Sequence, residues 1–159
     1  MKNIRIVLIG QLLLVILVFA FCICLASDAG ISAVYRFIDL PSLIMILLFL
    51  IPGLLIMGEW KDFIKSFSVG IKKYSLLELK NIIGAVGAAQ KLTIYGALFS
   101  IIVSTILVMG NLTDLSFMGL NLAVALISGL YAVIIEFFLL PLKLNAEKKM
   151  NKEMDLDDE

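Results

Sequence analysis

The side chains best suited to chemistry in this chain are hydroxyls, an amide and a carboxyl that recur at helical spacing within apolar segments. Two predicted helix faces carry them together with small residues: Thr93, Gly96, Ser100 and Ser104 on one, and Asn121, Ala125, Ser128, Ala132 and Glu136 on the other. Such faces could line a path for an ion. Alternatively they pack helices together, because small residues permit close approach and hydroxyls bond across the contact. Ser100 and Ser128 both fall near the middle of an apolar run, which would suit a polar ring in a small oligomer.

Glu136 is the one ionisable side chain that lies within a predicted membrane span. A carboxylate at membrane depth is costly, so we expect it to be protonated, paired, or facing water or a partner. By 1.5 Å per residue it lies about 10 Å inward of the middle of its span. Two interpretations stay open. Glu136 either handles protons or contacts a partner, or it is a boundary residue paired with Lys143 or with a lysine of the preceding loop.

Metal chemistry has few ligands to draw on in this chain. The sequence contains no histidine and two cysteines, Cys22 and Cys24. Residues two apart point about 200° apart around a helix, so we expect these thiols to fill space rather than to bridge each other. We therefore expect no metal site, no bound cofactor and no enzymatic activity.

The elements that must position these residues are apolar helices. Hydrophobic residues make up 62% of the 159 residues and charged residues 16%, well below the roughly 25% charged residues of an ordinary soluble domain. The chain contains four stretches without charge, each about long enough to cross a hydrocarbon core of roughly 30 Å as a helix. The sequence predicts an all-α polytopic membrane protein with one domain, residues 1–159, and four spans at about 6–27, 40–58, 92–113 and 115–141.

The basic residues are sorted to one side of this arrangement. Of the 13 lysines and arginines, 12 lie before the first span, in the loop 59–91 or in the tail 142–159, and only Arg36 falls on the other side. By the positive-inside rule, both termini and the middle loop lie in the cytoplasm. The first apolar run is longer than the core of a secretory signal, which favours a retained helix.

Local signals define the second span and the hairpin between spans three and four. Asp39 can cap the second helix, and Pro41 suits its first turn. Pro52 should kink that helix, either as a static bend or as a hinge, and Gly53 leaves room for a close neighbour. The loop around residues 110–114 is so short that spans three and four form a tight hairpin.

The cytoplasmic loop is amphipathic, with apolar residues at helical spacing between lysines. It could lie on the membrane surface, extend the second span, or pack against the apolar run that leads into span three. We expect packing within the same assembly. The acidic end of the tail, residues 155–159, is expected to be solvated. The apolar positions of the loop are Trp60, Phe63, Ile64, Phe67, Ile71 and Tyr74, and those of the following run are Leu76, Leu79, Ile83 and Val86.

Two segments of the chain resemble the MotA/TolQ/ExbB family, the ring subunits of bacterial ion-driven motors. Residues 37–44 (FIDLPSLI) resemble the family's entry into its second helix. The longer segment runs from Gly96 through the hairpin NLTD at 111–114 to GLNLAVALISGLY at 119–131, and closes with Pro141. The order of small, polar and aromatic positions is similar, as is the four-span topology, and the chain looks most like a compact flagellar-type stator subunit.

This resemblance implies a homopentamer around the single transmembrane helices of a dimeric partner similar to MotB, TolR or ExbD, whose acidic residue carries the ion. It implies a location in the bacterial inner membrane. Ser100 falls where the family has a threonine facing the ion path, Ser128 with Gly129 where a second hydroxyl pair often occurs, and Pro141 at the family's proline. The implied ion pathway comprises Ser100, Thr105, Ser128, Gly129 and Glu136, and the implied hinges are Pro52 and Pro141.

The chain also departs from the family's pattern. Flagellar members have about a hundred residues between spans two and three, whereas residues 59–91 number 33, so the region that contacts a rotor has no counterpart. Thr93 stands near a position that is often proline, and Glu136 replaces a small residue. Protons are favoured over sodium, because Gly129 offers no side-chain oxygen where sodium-coupled relatives tend to carry threonine. The alternative function is a non-conducting scaffold or accessory subunit, in which the polar faces only hold helices together.

Overall fold

The computed structural model describes residues 4–26 and 37–157 of the chain. The elements within these residues are helices: α1 (Ile4–Ala26), α2 (Leu40–Ile56), α3 (Trp60–Ser66), α4 (Leu76–Gly110) and α5 (Leu115–Asp157). Residues 27–36, which include Arg36, the side chain of Cys24 and the last two residues, 158–159, lie outside the described residues, and so do the predictions made for them. Cys22 is a free, exposed thiol. The prediction of an all-α protein is confirmed.

Two of the helices are long and apolar enough to cross a membrane. These are α4 and α5, whereas α2 reaches the necessary length only together with α3, from which it is bent by 111°. Helix α1 has 23 residues, and the stretch Ile6–Cys22, whose side chains are described, is apolar. The molecule is therefore membrane-embedded by the composition of its helices, and the number of four spans stays a prediction.

The α4–α5 hairpin forms the frame on which the other helices pack. The connection between the two helices is residues 111–114, as the sequence predicts, and the Asp114 carboxylate accepts hydrogen bonds from the backbone N–H groups of Ser116 (3.0 Å) and Phe117 (3.1 Å). At 35 and 43 residues, the helices are about 52 and 65 Å long. Both exceed a hydrocarbon core of roughly 30 Å, so the start of α4 and the end of α5 project together beyond it.

Helix α2 lies against α4 at two glycines. A Cβ atom added to Gly96 would lie 2.9 Å from Ile46 Cα, and one added to Gly53 would lie 2.7 Å from a methyl group of Leu92. Glycine at these positions lets the two backbones approach closely. The close neighbour predicted for Gly53 is thus confirmed.

The predicted start of α2 is also confirmed, whereas the sharpest turn lies after the helix. Asp39 is the N-cap residue, accepting from the backbone N–H of Ser42 at 2.8 Å, and a proline occupies the first turn. Pro52 lies inside the continuous helix Leu40–Ile56. The chain changes direction between α2 and α3 at Gly58, whose φ of 74° lies in the left-handed region that glycine tolerates best.

The loop that follows α2 packs on the projecting ends of α4 and α5. Phe63 of α3 is buried with α4 and α5 residues, and Val69 is fully buried among Leu79, Ile82 and Ala146. Of the three placements considered for this loop, packing against the run that precedes span three is therefore the observed one. The helical pattern ends earlier than its periodicity suggests, because α3 stops at Ser66 and turns carry the chain to Ser75.

Helix α4 starts well before the predicted third span. Ser75 is its N-cap residue and forms a capping box with Glu78, in which each side chain bonds to the other residue's backbone N–H. The sequence pattern predicts these residues to lie in the loop 59–91. Their local hydrogen bonding begins a helix 16 residues before Leu92.

Residues 142–157 are not a separate tail but the continuation of α5. Leu142 (1% exposed), Ala146 (0%) and Lys149 (9%) recur at helical spacing and are buried. The Lys149 ammonium donates hydrogen bonds to the backbone carbonyls of Val69 and Lys72, and it lies 5.8 Å from the centre of the Tyr74 ring. This buried stripe keeps the segment helical and fixed to the loop.

Candidate functional site

The hydroxyls of Ser100 and Ser128 meet inside the protein. Their Oγ atoms are 2.7 Å apart across the α4–α5 contact, and both residues are buried. Ser128 Oγ also lies 2.8 Å from the carbonyl of Val124, one turn earlier in its own helix. The structure thus brings together the two residues that the sequence placed at the same depth. Their position within one protomer favours the helix-packing interpretation of these two hydroxyls.

The other residues of the implied ion pathway lie apart from this pair. Thr105 is exposed, and its hydroxyl donates to the Ile101 carbonyl at 2.7 Å. Gly129 is half-buried, and a Cβ added there would lie 3.8 Å from the Ile101 side chain, in ordinary contact. A side chain at Gly129 would therefore be accommodated, so its absence is not required by packing.

Glu136 lies in a groove formed by α4, α5 and the end of α2. The groove has a volume of about 680 Å³, and Gln90 from α4 lies beside the carboxylate. Glu136 Oε1 is shielded from solvent and has no hydrogen-bond partner among the described residues. The polar or ionisable residues that line the groove are Gln90, Lys91, Tyr95, Glu136 and Lys143.

Lys143 shares this groove with Glu136 but forms no ion pair with it. The described residues contain ion pairs at Lys65, with Asp62 and Glu78, and none at Glu136. Seven residues of helix separate Lys143 from Glu136, about 10 Å along the axis. The boundary interpretation of Glu136 required a paired lysine, and within the described part of a single protomer that pairing is not formed.

Pro141 links α5 to α1 through the carbonyl that it leaves free. A proline within a helix has no N–H to donate to the carbonyl four residues earlier, which here belongs to Phe137. That carbonyl accepts a hydrogen bond from the Gln11 side chain of α1 at 2.9 Å. The implied hinge is therefore bridged by a neighbouring helix.

The entry to α2 is fixed to the middle of α5. The Tyr131 hydroxyl donates to the Phe37 carbonyl at 2.7 Å and accepts from the backbone N–H of Asp39 at 2.8 Å. Ser42 Oγ lies 3.2 Å from the carbonyl of Val124. These bonds join residues that are about 80 to 95 positions apart in the chain, and they hold the N-terminal end of α2 against α5.

Compared with models of known protein families, with curated proteins and with solved structures, the chain matches none of them.

Sequence reasoning missed four residues that the structure places at these sites. Gln90 and Gln11 are amides in apolar helices, and an amide in such a setting signals a need for a partner. Tyr131 was noted only as part of the resembling segment. Lys149 was counted only as one of the basic residues that indicate the membrane orientation. The one sequence signal of its burial is its helical spacing from Leu142 and Ala146.

Proposed function

We propose that this chain is the ring subunit of an ion-driven motor in the bacterial inner membrane. Five copies would surround the helices of a dimeric single-span partner whose membrane carboxyl carries the ion. In this proposal the chain crosses the membrane four times, with both termini and the loop 59–91 in the cytoplasm. The ion gradient would supply the energy, about 2.3 kcal/mol per charge for each 100 mV.

The observation that carries the proposal is the contact between the two segments that resemble the MotA/TolQ/ExbB family. Residues 37–44 and 96–131 are distant in sequence, yet Tyr131 bonds to the backbone at 37 and 39, and Ser42 bonds to Val124. Gly96 of the second segment lies against Ile46, two residues beyond the first. Sequence similarity confined to two segments has more weight when the segments form one structural unit.

The charge distribution supports the proposed orientation. The projecting ends of α4 and α5, together with α3 and its turns, form one compact region at the same end of the molecule. Most of the chain's lysines lie there, and this sorting is what the positive-inside rule requires of a cytoplasmic face.

Within the proposal, different polar residues have different roles. Ser100 and Ser128 hold α4 against α5, as their 2.7 Å contact indicates. Thr105 is exposed on α4 and could meet a partner helix. Glu136, in its open groove, is the candidate for proton handling near the cytoplasmic side.

The alternative is a non-conducting scaffold or accessory subunit, and one observation favours it. The hydroxyls of Ser100, Thr105 and Ser128 all have hydrogen-bond partners within the protomer. Polar groups satisfied in this way stabilise helix contacts without any ion.

If the chain is a motor subunit, its short loop, residues 59–91, indicates that the load is not a flagellar rotor.

Ion dependence tests the proposal against this alternative. The subunit and its single-span partner, reconstituted in vesicles, are expected to pass protons when sodium is replaced by potassium at fixed membrane potential. The proton is favoured because sodium needs several oxygen ligands and Gly129 supplies none from a side chain. Internal pH is measured with a fluorescent indicator. A partner variant with its membrane carboxylate replaced by the amide serves as control.

Two results would count against this proposal. Flux that returns only when sodium is restored would overturn the assignment of the proton. Absence of flux with either ion, in vesicles that contain the assembled complex, would favour the scaffold.

A further inference from the structure

The groove beside Glu136 is unusual for its combination of space, charge and an unsatisfied oxygen. The groove is open on one side and has a volume of about 680 Å³, enough for many water molecules at about 30 Å³ each. Two lysines, an amide and a phenol line it together with Glu136. Of the charged residues that line it, Glu136 lies within a predicted span, where a carboxylate is costly on a surface that faces lipid only.

Glycines keep this groove open. A Cβ atom added to Gly84 or Gly87 would have no other heavy atom within 4 Å, so neither glycine is required by a close helix contact. Both lie on the α4 side of the groove. Gly96 and Gly53, by contrast, have a neighbour within 3 Å. Glycine costs helical stability of about 1 kcal/mol relative to alanine, and at these two positions the structure shows no packing that would offset it.

We propose that this groove is a hydrated vestibule open to the end of the molecule that carries α3, and that Glu136 exchanges protons with bulk water through it. The carboxyl group of Glu136, which lines the groove, gains and loses the proton. The exchange is a simple acid–base step: a hydronium ion in the groove gives its proton to the carboxylate and leaves as water, and the reverse step returns the proton.

The groups that face Glu136 suit this exchange. Gln90, Lys91 and Tyr95 approach from α4, Lys143 from α5, and Met57 from the end of α2 contributes no charge. An ammonium group nearby stabilises a carboxylate and an apolar wall stabilises a carboxyl, and the lining of the groove supplies both kinds of surface. Opposing influences of this kind allow both forms to be populated, which a proton-exchange group requires. The role of this proton exchange in driving a motor rests on the proposed function, whereas the hydration of the groove does not depend on that function.

Cysteine accessibility tests the vestibule without reference to motor activity. In a variant with Cys22 and Cys24 replaced by serine, Gly87→Cys is labelled in inverted membrane vesicles with a charged thiol reagent that cannot cross the membrane. The matched control is Leu55→Cys, near the end of α2 that borders the groove. Leu55 is 56% exposed and does not line the groove. Since the reagent reacts with the thiolate, and apolar surroundings suppress thiolate formation, labelling at Gly87→Cys should be at least about tenfold faster.

A second measurement concerns Glu136 itself. On transfer to deuterated buffer, the infrared band of its protonated carboxyl should shift in the parent protein and be missing in Glu136→Gln. Gly87→Leu fills the groove and should slow this exchange, whereas Gly119→Leu, at another glycine whose added Cβ meets open space, should leave it unchanged.

Each outcome bears on one proposal separately. Equal labelling of the Gly87→Cys and Leu55→Cys variants, or deuterium exchange unaffected by Gly87→Leu, would overturn the vestibule, because lipid or a second copy of the chain would then fill the groove. Rapid labelling and rapid deuterium exchange, without ion flux in the reconstituted complex, would support the vestibule and contradict the proposed motor function.

Discussion

Replacing Gly96 by alanine is expected to destabilise the protein, although alanine is the better helix former. The added Cβ would lie 2.9 Å from Ile46 Cα and 3.3 Å from the Ile46 carbonyl oxygen. Because these are backbone atoms, α2 and α4 would have to separate. Overpacking of this kind typically costs about 1 to 3 kcal/mol, and Gly96→Leu should prevent folding. Thermal unfolding in detergent, followed by circular dichroism and size-exclusion chromatography, measures the effect.

The same substitution on the same helix supplies the control. An added Cβ at Gly84 meets no heavy atom within 4 Å, so Gly84→Ala should be neutral or stabilising by up to about 1 kcal/mol. Gly53→Ala should be intermediate, since its clash involves only the flexible end of Leu92. Equal stability of Gly96→Ala and Gly84→Ala would show that α2 does not cross α4 at this point.

Replacing Lys149 by methionine is expected to release the turns between α3 and α4. The substitution keeps the length of the side chain and removes the ammonium that donates to the carbonyls of Val69 and Lys72. A buried acceptor left without a partner costs about 1 to 3 kcal/mol. A loss of about 2 kcal/mol would speed local amide exchange roughly thirtyfold. Hydrogen exchange over residues 67–75, read by mass spectrometry, is the measurement.

Lys148→Met is the matched control for this experiment, because Lys148 is the adjacent residue of α5 and is exposed. It should leave exchange in residues 67–75 unchanged. If both variants behaved alike, the Lys149 contacts would contribute nothing to the position of the loop. A charge effect on the whole region, rather than the two hydrogen bonds, would then explain any change.

Local signals were sufficient to predict some features of the fold. Asp39 and Pro41 define the start of α2 through hydrogen bonding and dihedral preference within a few residues. The tight hairpin between α4 and α5 follows from the shortness of the connection, residues 111–114. The packing of the loop follows only in part from its apolar spacing: Phe63 is buried as predicted, whereas Ile64, Phe67 and Ile71 are exposed, and the contact with Leu79 and Ile82 is made by Val69, which lies outside the predicted stripe.

Features that depend on contacts between distant residues were not predictable from local pattern. The bond from Gln11 to the carbonyl freed by Pro141 joins residues 126 positions apart. The helical segment beyond Pro141 is joined to the loop by hydrogen bonds from Lys149 to carbonyls in a turn 77 to 80 residues earlier. The sequence predicts Ser100 and Ser128 at one depth and facing a shared central axis, whereas the contact between their hydroxyls within one protomer depends on how α4 packs on α5.

The composition of the purified complex tests the central proposal, a ring around a single-span partner, most directly. The chain is expressed together with the protein of the neighbouring reading frame, provided that this protein has one span with an aspartate near its start and a periplasmic cell-wall-binding domain. Native mass spectrometry of the complex in detergent is expected to give five chains of 17.5 kDa with two copies of the partner. A monodisperse monomer or dimer of the chain, with no partner bound, would contradict the proposed ring.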